Sequence, residues 1–243
     1  MLCLAHSFRR VPPPPATKTD IPATVSRYVE RAVPAGSSIP ARVRVAQSGL
    51  MWLKPGGRSL PFTAVEDFAV ETVAFAWVAR FRFLPLVSMK VVDRYADGAG
   101  SLEARLFGVL PFMRQSGQAT AEGAAMRYLA ELPWVPHAML RNPELEWREA
   151  DARTVEVGTS VGAAKVAVRL EFDAAGDIVS AFSDGRPHPE GNATVPRPWG
   201  GVYSDYQVID GIRLPTRADV RWELPEGPFT YWSGEIESVE VNR

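Results

Sequence analysis

The stretch VSMKVVDRYADGAGSLEARL, residues 87–106, decides the fold. Val87, Met89 and Val91 alternate with Ser88, Lys90 and Val92, and Leu102, Ala104 and Leu106 alternate with Glu103 and Arg105. Between the two runs stands Asp97-Gly98-Ala99-Gly100, a turn signal. A period of two gives a strand one wet face and one dry face, the pattern of an antiparallel sheet.

The same period recurs outward from this hairpin. Val43 and Val45 alternate with Arg42 and Arg44. Val166, Val168, Leu170 and Phe172 alternate with Lys165, Arg169 and Glu171, and Ala218, Val220, Trp222 and Leu224 alternate with Arg217, Asp219, Arg221 and Glu223. Turn signals stand at 55, 173, 210 and 225. Asp210-Gly211 predicts a type I′ hairpin, because that turn needs positive φ at both central positions. No strand–helix–strand alternation is present, which argues against a parallel sheet.

Two helices interrupt the strands. Asp20 is a suitable N-cap with Pro22 in the first turn, and Ile21, Val25, Tyr28, Val29 and Ala32 follow at helical spacing. The second helix is expected at 120–132, where Ala121, Ala124, Ala125, Tyr128, Leu129 and Leu132 form a stripe. Arg127 and Glu131 make an i,i+4 pair on its more polar side. Pro133 stops it, and Trp134-Val135-Pro136 then reads as an extended, proline-braced segment that wedges the helix end. Residues 1–19 carry VPPPP and read as a proline-rich tail. Residues 20–243 then form a single domain: one strongly curved antiparallel sheet, an open half-barrel, with a central helix across its concave face.

Composition narrows the function classes. The chain has 243 residues, is 46% hydrophobic and 23% charged, and has a net charge of −1. That balance gives no basic field for nucleic acid. Cys3 is the only cysteine, so no intrachain disulfide forms. No apolar run reaches the roughly 18 residues of a membrane span. In MLCLAHSFRR the arginines follow the apolar residues, an order that does not suit a secretory signal, so a cytoplasmic location is expected. His6, His137 and His188 are scattered, and no HExxH or CxxC spacing exists, so neither a metal nor another cofactor is expected. GTSVGAAK at 158–165 lacks phosphate-loop spacing. GxSxG is absent as well.

Aromatic residues remain. Phe75, Trp77, Phe81 and Phe83 share one strand face, and Trp134, Trp147, Trp199, Tyr203, Trp222, Tyr231 and Trp232 add more. They serve either a large β core or an apolar cavity for a lipid-like ligand. In the cavity reading Trp77, Tyr128, Trp134 and Trp222 are walls, and Asp93 or Glu131 meets a polar head group. Asp93 lies on the dry face of its strand, so it needs a partner from elsewhere in the fold. Two alternatives stay open: an enzyme using Asp93, Glu131 or His137 as acid or base, and a structural module with a filled core. The oligomeric state is open too.

The succession FAWVARF (75–81), VVDRYADGAGSL (91–102), RYLAELPWVPHAML (127–140), LEW (145–147) and PWGGVYSDYQVIDGIRLPTRADVRW (198–222) resembles a bacterial family of unknown function. The resemblance covers roughly residues 21–243, and RYLAE-x-x-W-x-P is its most specific part. It implies no activity. The later half, with DY-x-x-x-DGIRLP and a closing pair of strands, is similar in style to the LolA/LppX-like lipoprotein carriers. That similarity implies an open antiparallel half-barrel closed by a helix over an apolar cavity.

Overall fold

The computed structural model describes residues 20–84, 87–191 and 193–242. The proline-rich tail expected at 1–19 lies outside these residues. Thirteen strands among them form one antiparallel sheet. The first six are β1 (Arg42–Trp52), β2 (Ser59–Ala69), β3 (Phe75–Leu84), β4 (Val87–Ala96), β5 (Ala99–Leu106) and β6 (Leu110–Ser116). The second group is β7 (Glu146–Glu149), β8 (Thr154–Val161), β9 (Ala164–Phe172), β10 (Ile178–Glu190), β11 (Ala193–Ile209), β12 (Ile212–Leu224) and β13 (Gly227–Asn242). Their order is β6-β5-β4-β3-β2-β1-β13-β12-β11-β10-β9-β8-β7. Two meanders therefore meet at a single seam between β1 and β13, where Val45 faces Val239.

The period-two reading holds along these strands. In β4, Met89, Val91 and Tyr95 are buried while Ser88 and Arg94 are exposed. Asp97 and Gly98 have φ of 52° and 75°, and Asp210 and Gly211 have 50° and 79°. Both pairs thus meet the positive-φ demand of a type I′ turn, and each closes a hairpin with the strands directly in register.

The sheet curls into a half-barrel around the central helix α2 (Gln118–Ala130), which touches strands of both meanders. The helix begins two residues before the expected start. Gly117, at φ 103°, turns the chain out of β6, and Gln118 Nε2 ties the first turn to Val161 O at 3.0 Å. Burial extends beyond the expected stripe to Gly123, Met126 and Ala130, as befits a helix wrapped by a sheet. Close approach is set by Gly100 on β5. A Cβ there would stand 2.7 Å from the Ala121 Cα, so only glycine lets the backbones meet.

Two local expectations need correction. The first helix, α1, runs Ala23–Ala32 with Pro22 at its N-cap (φ −54°, ψ 141°), so Asp20 lies outside it. Pro22 holds Ile21 away from helical ψ, and the first helical bond is Ser26 N–H to Pro22 O at 3.0 Å. The segment after α2 is helical rather than extended. Leu132–Trp134 is a 3-10 turn, and Pro136–Arg141 is a short helix, α3. Both prolines occupy first-turn positions, where a missing N–H costs nothing and φ is already helical.

Helix α1 packs on α3 and fills one end of the half-barrel. Tyr28 meets Phe172 edge-on at 6.1 Å, with Leu214 and Ile178 buried nearby in the same apolar cluster.

Candidate functional site

The other end of the half-barrel is hollow. A cavity of about 840 Å³ opens between the concave face and α2. Trp77 and Phe81 wall it from β3, and Trp222 and Trp232 wall it from β12 and β13. Trp134 closes its floor. The indole Nε1–H of Trp134 donates to Pro215 O at 3.0 Å, while its ring meets Tyr203 edge-on at 6.2 Å. The rings singled out in the sequence are thus divided between two tasks. Phe75 and Trp147 are core, whereas those above face a hollow.

A charged cluster lies in one wall. Arg127, one turn before the end of α2, donates to three carboxylates at 2.9 Å each: Nε to Glu131 Oε1, Nη1 to Asp93 Oδ2, and Nη2 to Glu66 Oε1. Its guanidinium carbon also stands 5.0 Å from the ring centres of both Phe75 and Trp77. Gln47 completes the shell. It accepts from Trp77 Nε1 at 2.9 Å and donates to Glu66 Oε2 at 3.1 Å.

Three carboxylates around one cation cannot all stay ionised out of water. Burial pushes Glu66 well above the usual carboxylate range, although Arg127 pulls it back, and burial likewise raises Glu131. Glu131 Oε2 is buried and has no hydrogen-bond partner among the described residues, and the Glu131 and Asp93 carboxylates each disfavour ionisation of Glu66 beyond what its burial does. Burial alone would lower the Arg127 pKa. The surrounding carboxylates more than reverse this, so Arg127 stays charged.

The sequence pattern of one family of unknown function, DUF6544, matches residues 14–234. The chain belongs to the DUF6544 family. No curated protein matches it. Among solved structures, this DUF6544 chain is similar to a LolA superfamily protein from Nitrosomonas europaea, with 9% identity and a TM-score of 0.43 over 90% of this chain and 92% of that one. It is similar also to a DUF1329 family protein from Desulfovibrio piger, with 11% identity and a TM-score of 0.40 over 90% of each chain.

Of the residues named from sequence, Trp77, Asp93, Glu131, Trp134 and Trp222 all line the cavity of the DUF6544 chain. Tyr128 does not, which corrects its assignment as a wall. It is fully buried on another side of α2, donates to Ala69 O at 2.8 Å, accepts from Asn142 Nδ2 at 3.1 Å and packs on Phe68. His137 is buried in α3 and also lies apart from the cavity, and burial lowers its pKa. Asp93 finds its partner in Arg127, which the sequence reading had paired with Glu131 alone.

Sequence reasoning missed Gln47, Glu66 and Arg186. The first two were visible in principle. Gln47 continues the inward row of Val43 and Val45, and Glu66 sits between inward Ala64 and Phe68. A polar residue in a dry row is the signal. Among the described residues no group of three His, Cys, Asp or Glu is placed to hold a metal ion. No described helix is long and apolar enough to cross a membrane.

Proposed function

We propose that this protein binds an apolar or amphipathic small molecule without transforming it. One observation carries the reading: a hollow of about 840 Å³, walled by tryptophan faces, lies inside a domain whose other end is solidly packed. Ligand sites fall in this size range and combine apolar walls with a few polar groups, and here those are Arg127 with its carboxylates, and Arg186. The rim adds support. Leu53 and Phe112 line the cavity and are 68% and 66% exposed, so an apolar chain would meet apolar groups on its way in.

What favours binding over chemistry is the state of the acid–base candidates. Asp93 and Glu131 are both held by Arg127, and His137 lies outside the cavity. Neither carboxylate has a histidine, serine, threonine or cysteine hydrogen-bonded to it among the described residues, so the base–nucleophile pair of covalent catalysis is missing there.

Titration with saturated alcohols of increasing length, followed by tryptophan fluorescence, tests the proposal. Affinity should rise by up to about 0.8 kcal/mol per added CH₂ until the hollow is full. Trp134→Ala should weaken binding of every member. No fluorescence change with any chain length, together with no co-purifying mass by native mass spectrometry, would overturn it.

A further inference from the structure

We infer that Arg186 is the anion subsite of this cavity, taking the carboxylate or phosphate of an amphipathic ligand whose chain lies among the tryptophans. The inference rests on the binding function proposed above. It begins with a β-bulge. Ala181 and Ser183 of β10 are buried on the inner face, so strict alternation would send Arg186 outward with Asp184, which pairs with Arg169 at 2.6 Å. Between the pairs Ser183–Trp199 and Arg186–Arg197, however, β10 carries one residue more than β11. The extra residue flips the parity and delivers Arg186 to the cavity wall.

There the guanidinium is held in place without being neutralised. Its carbon stands 4.3 Å from the Trp199 ring centre and 5.3 Å from that of Trp222. Nε and Nη2 both donate to Gly123 O on α2, at 3.2 and 3.0 Å. That leaves the Nη1 edge of the fork, with the second Nη2 hydrogen, without an acceptor among the described residues. The cavity has two other arginines. Arg127 faces three carboxylates, and Arg114 at the rim has Glu103 at 3.5 Å. Arg186 has no carboxylate within salt-bridge distance among the described residues. A planar fork with one open edge matches a carboxylate or phosphate in bidentate fashion. An inward cation lacking a counter-charge is costly to keep unless an anion joins it.

The test compares dodecanoate, dodecyl phosphate, 1-dodecanol and dodecylamine by calorimetric titration of the full chain at neutral pH. The two anions should bind about tenfold or more tightly than dodecanol, the increment of a charge-assisted hydrogen bond. Arg186→Gln should abolish that preference, bringing both anions to the affinity of dodecanol for the same variant, and an unchanged thermal transition followed by circular dichroism shows that the variant is folded. Arg186→Lys should keep part of it, since the charge remains and the fork is lost. The relative strength of dodecanoate and dodecyl phosphate distinguishes the two anion classes. Equal wild-type affinity for dodecanol and the anions would overturn the subsite while leaving the binding function standing, as would an anion preference that survives in Arg186→Gln. Tightest binding of dodecylamine would overturn it too and assign the head group to the Glu66–Asp93–Glu131 cluster. Failure of all four probes removes the binding function and the subsite together. If Arg186→Gln does not fold, the wild-type comparison alone decides.

Discussion

At the scale of single residues, Arg127 holds the interior together. It compensates Glu66, which is 0% exposed, along with Asp93 and Glu131. Removing one partner of a buried ionic group typically costs about 3–5 kcal/mol, so Arg127→Met should lower unfolding free energy by that order in urea titrations. Arg127→Lys should recover little, because an ammonium cannot reach three carboxylates in one plane. The cluster also sets a pH dependence. Folding raises Glu66 and Glu131 above their ordinary value of 4.5, so over that window the folded state binds more protons than the unfolded chain. Stability from this source is full below that value and is lost as pH rises through the raised ones. Glu66→Gln, a mimic of the protonated acid, should flatten the decline of melting temperature as pH rises above the ordinary carboxylate value of 4.5. An unchanged slope would refute the raised titration of Glu66. Asp93 and Trp77 were legible in sequence because period-two patterns report which face a side chain takes. Arg186 was not, since a single extra residue inverts that parity and leaves no local signature.

The central element is a helix of small residues. Ala121, Ala124 and Ala125 bring α2 close to the sheet, and Tyr128, Leu129 and Leu132 anchor its far end and the turn beyond. Leu129 is 0% exposed, so Leu129→Ala should cost about 2–5 kcal/mol by chemical denaturation. Gly100→Val probes the opposite fault. Its Cβ would fall 2.8 Å from Thr120 O as well as against Ala121, and overpacking of this kind costs roughly 1–3 kcal/mol. A Gly100→Val protein as stable as wild type would show that α2 can shift outward freely. The helix itself was readable from its stripe. Its burial on further sides was not, because alanine and glycine look alike whether they face core or solvent. The turn through Pro133 and Pro136 was misread as extended for a related reason: proline forbids a helix interior yet suits a helix start, and only the tertiary setting chooses between them.

Taken as a whole, the molecule is two meanders joined at one seam. Alternation and turn chemistry made the antiparallel sheet legible, since hairpins are local. The seam is not local: β1 pairs with β13, and no sequence signal near Val45 points to Val239. β13 is also the last strand in chain order, and it is hydrogen-bonded on both sides. Contacts so distant along the chain close late and make folding slow, on the order of milliseconds to seconds. Until β13 docks, β1 and β12 are both unpaired edges with apolar faces, open to pairing with another chain. The arginines that alternate outward there, Arg42 and Arg44 on β1 and Arg217 and Arg221 on β12, face this hazard. Arg44 and Arg221 are ion-paired with Asp67 and Glu223, and what a second chain meets at either edge is a row of charged side chains that resists close pairing, so these side chains act as guards of the unfinished sheet. Replacing Arg42, Arg44, Arg217 and Arg221 together with threonine should leave the melting temperature of the folded protein nearly unchanged while lowering refolding yield after dilution from urea, with light scattering as the readout.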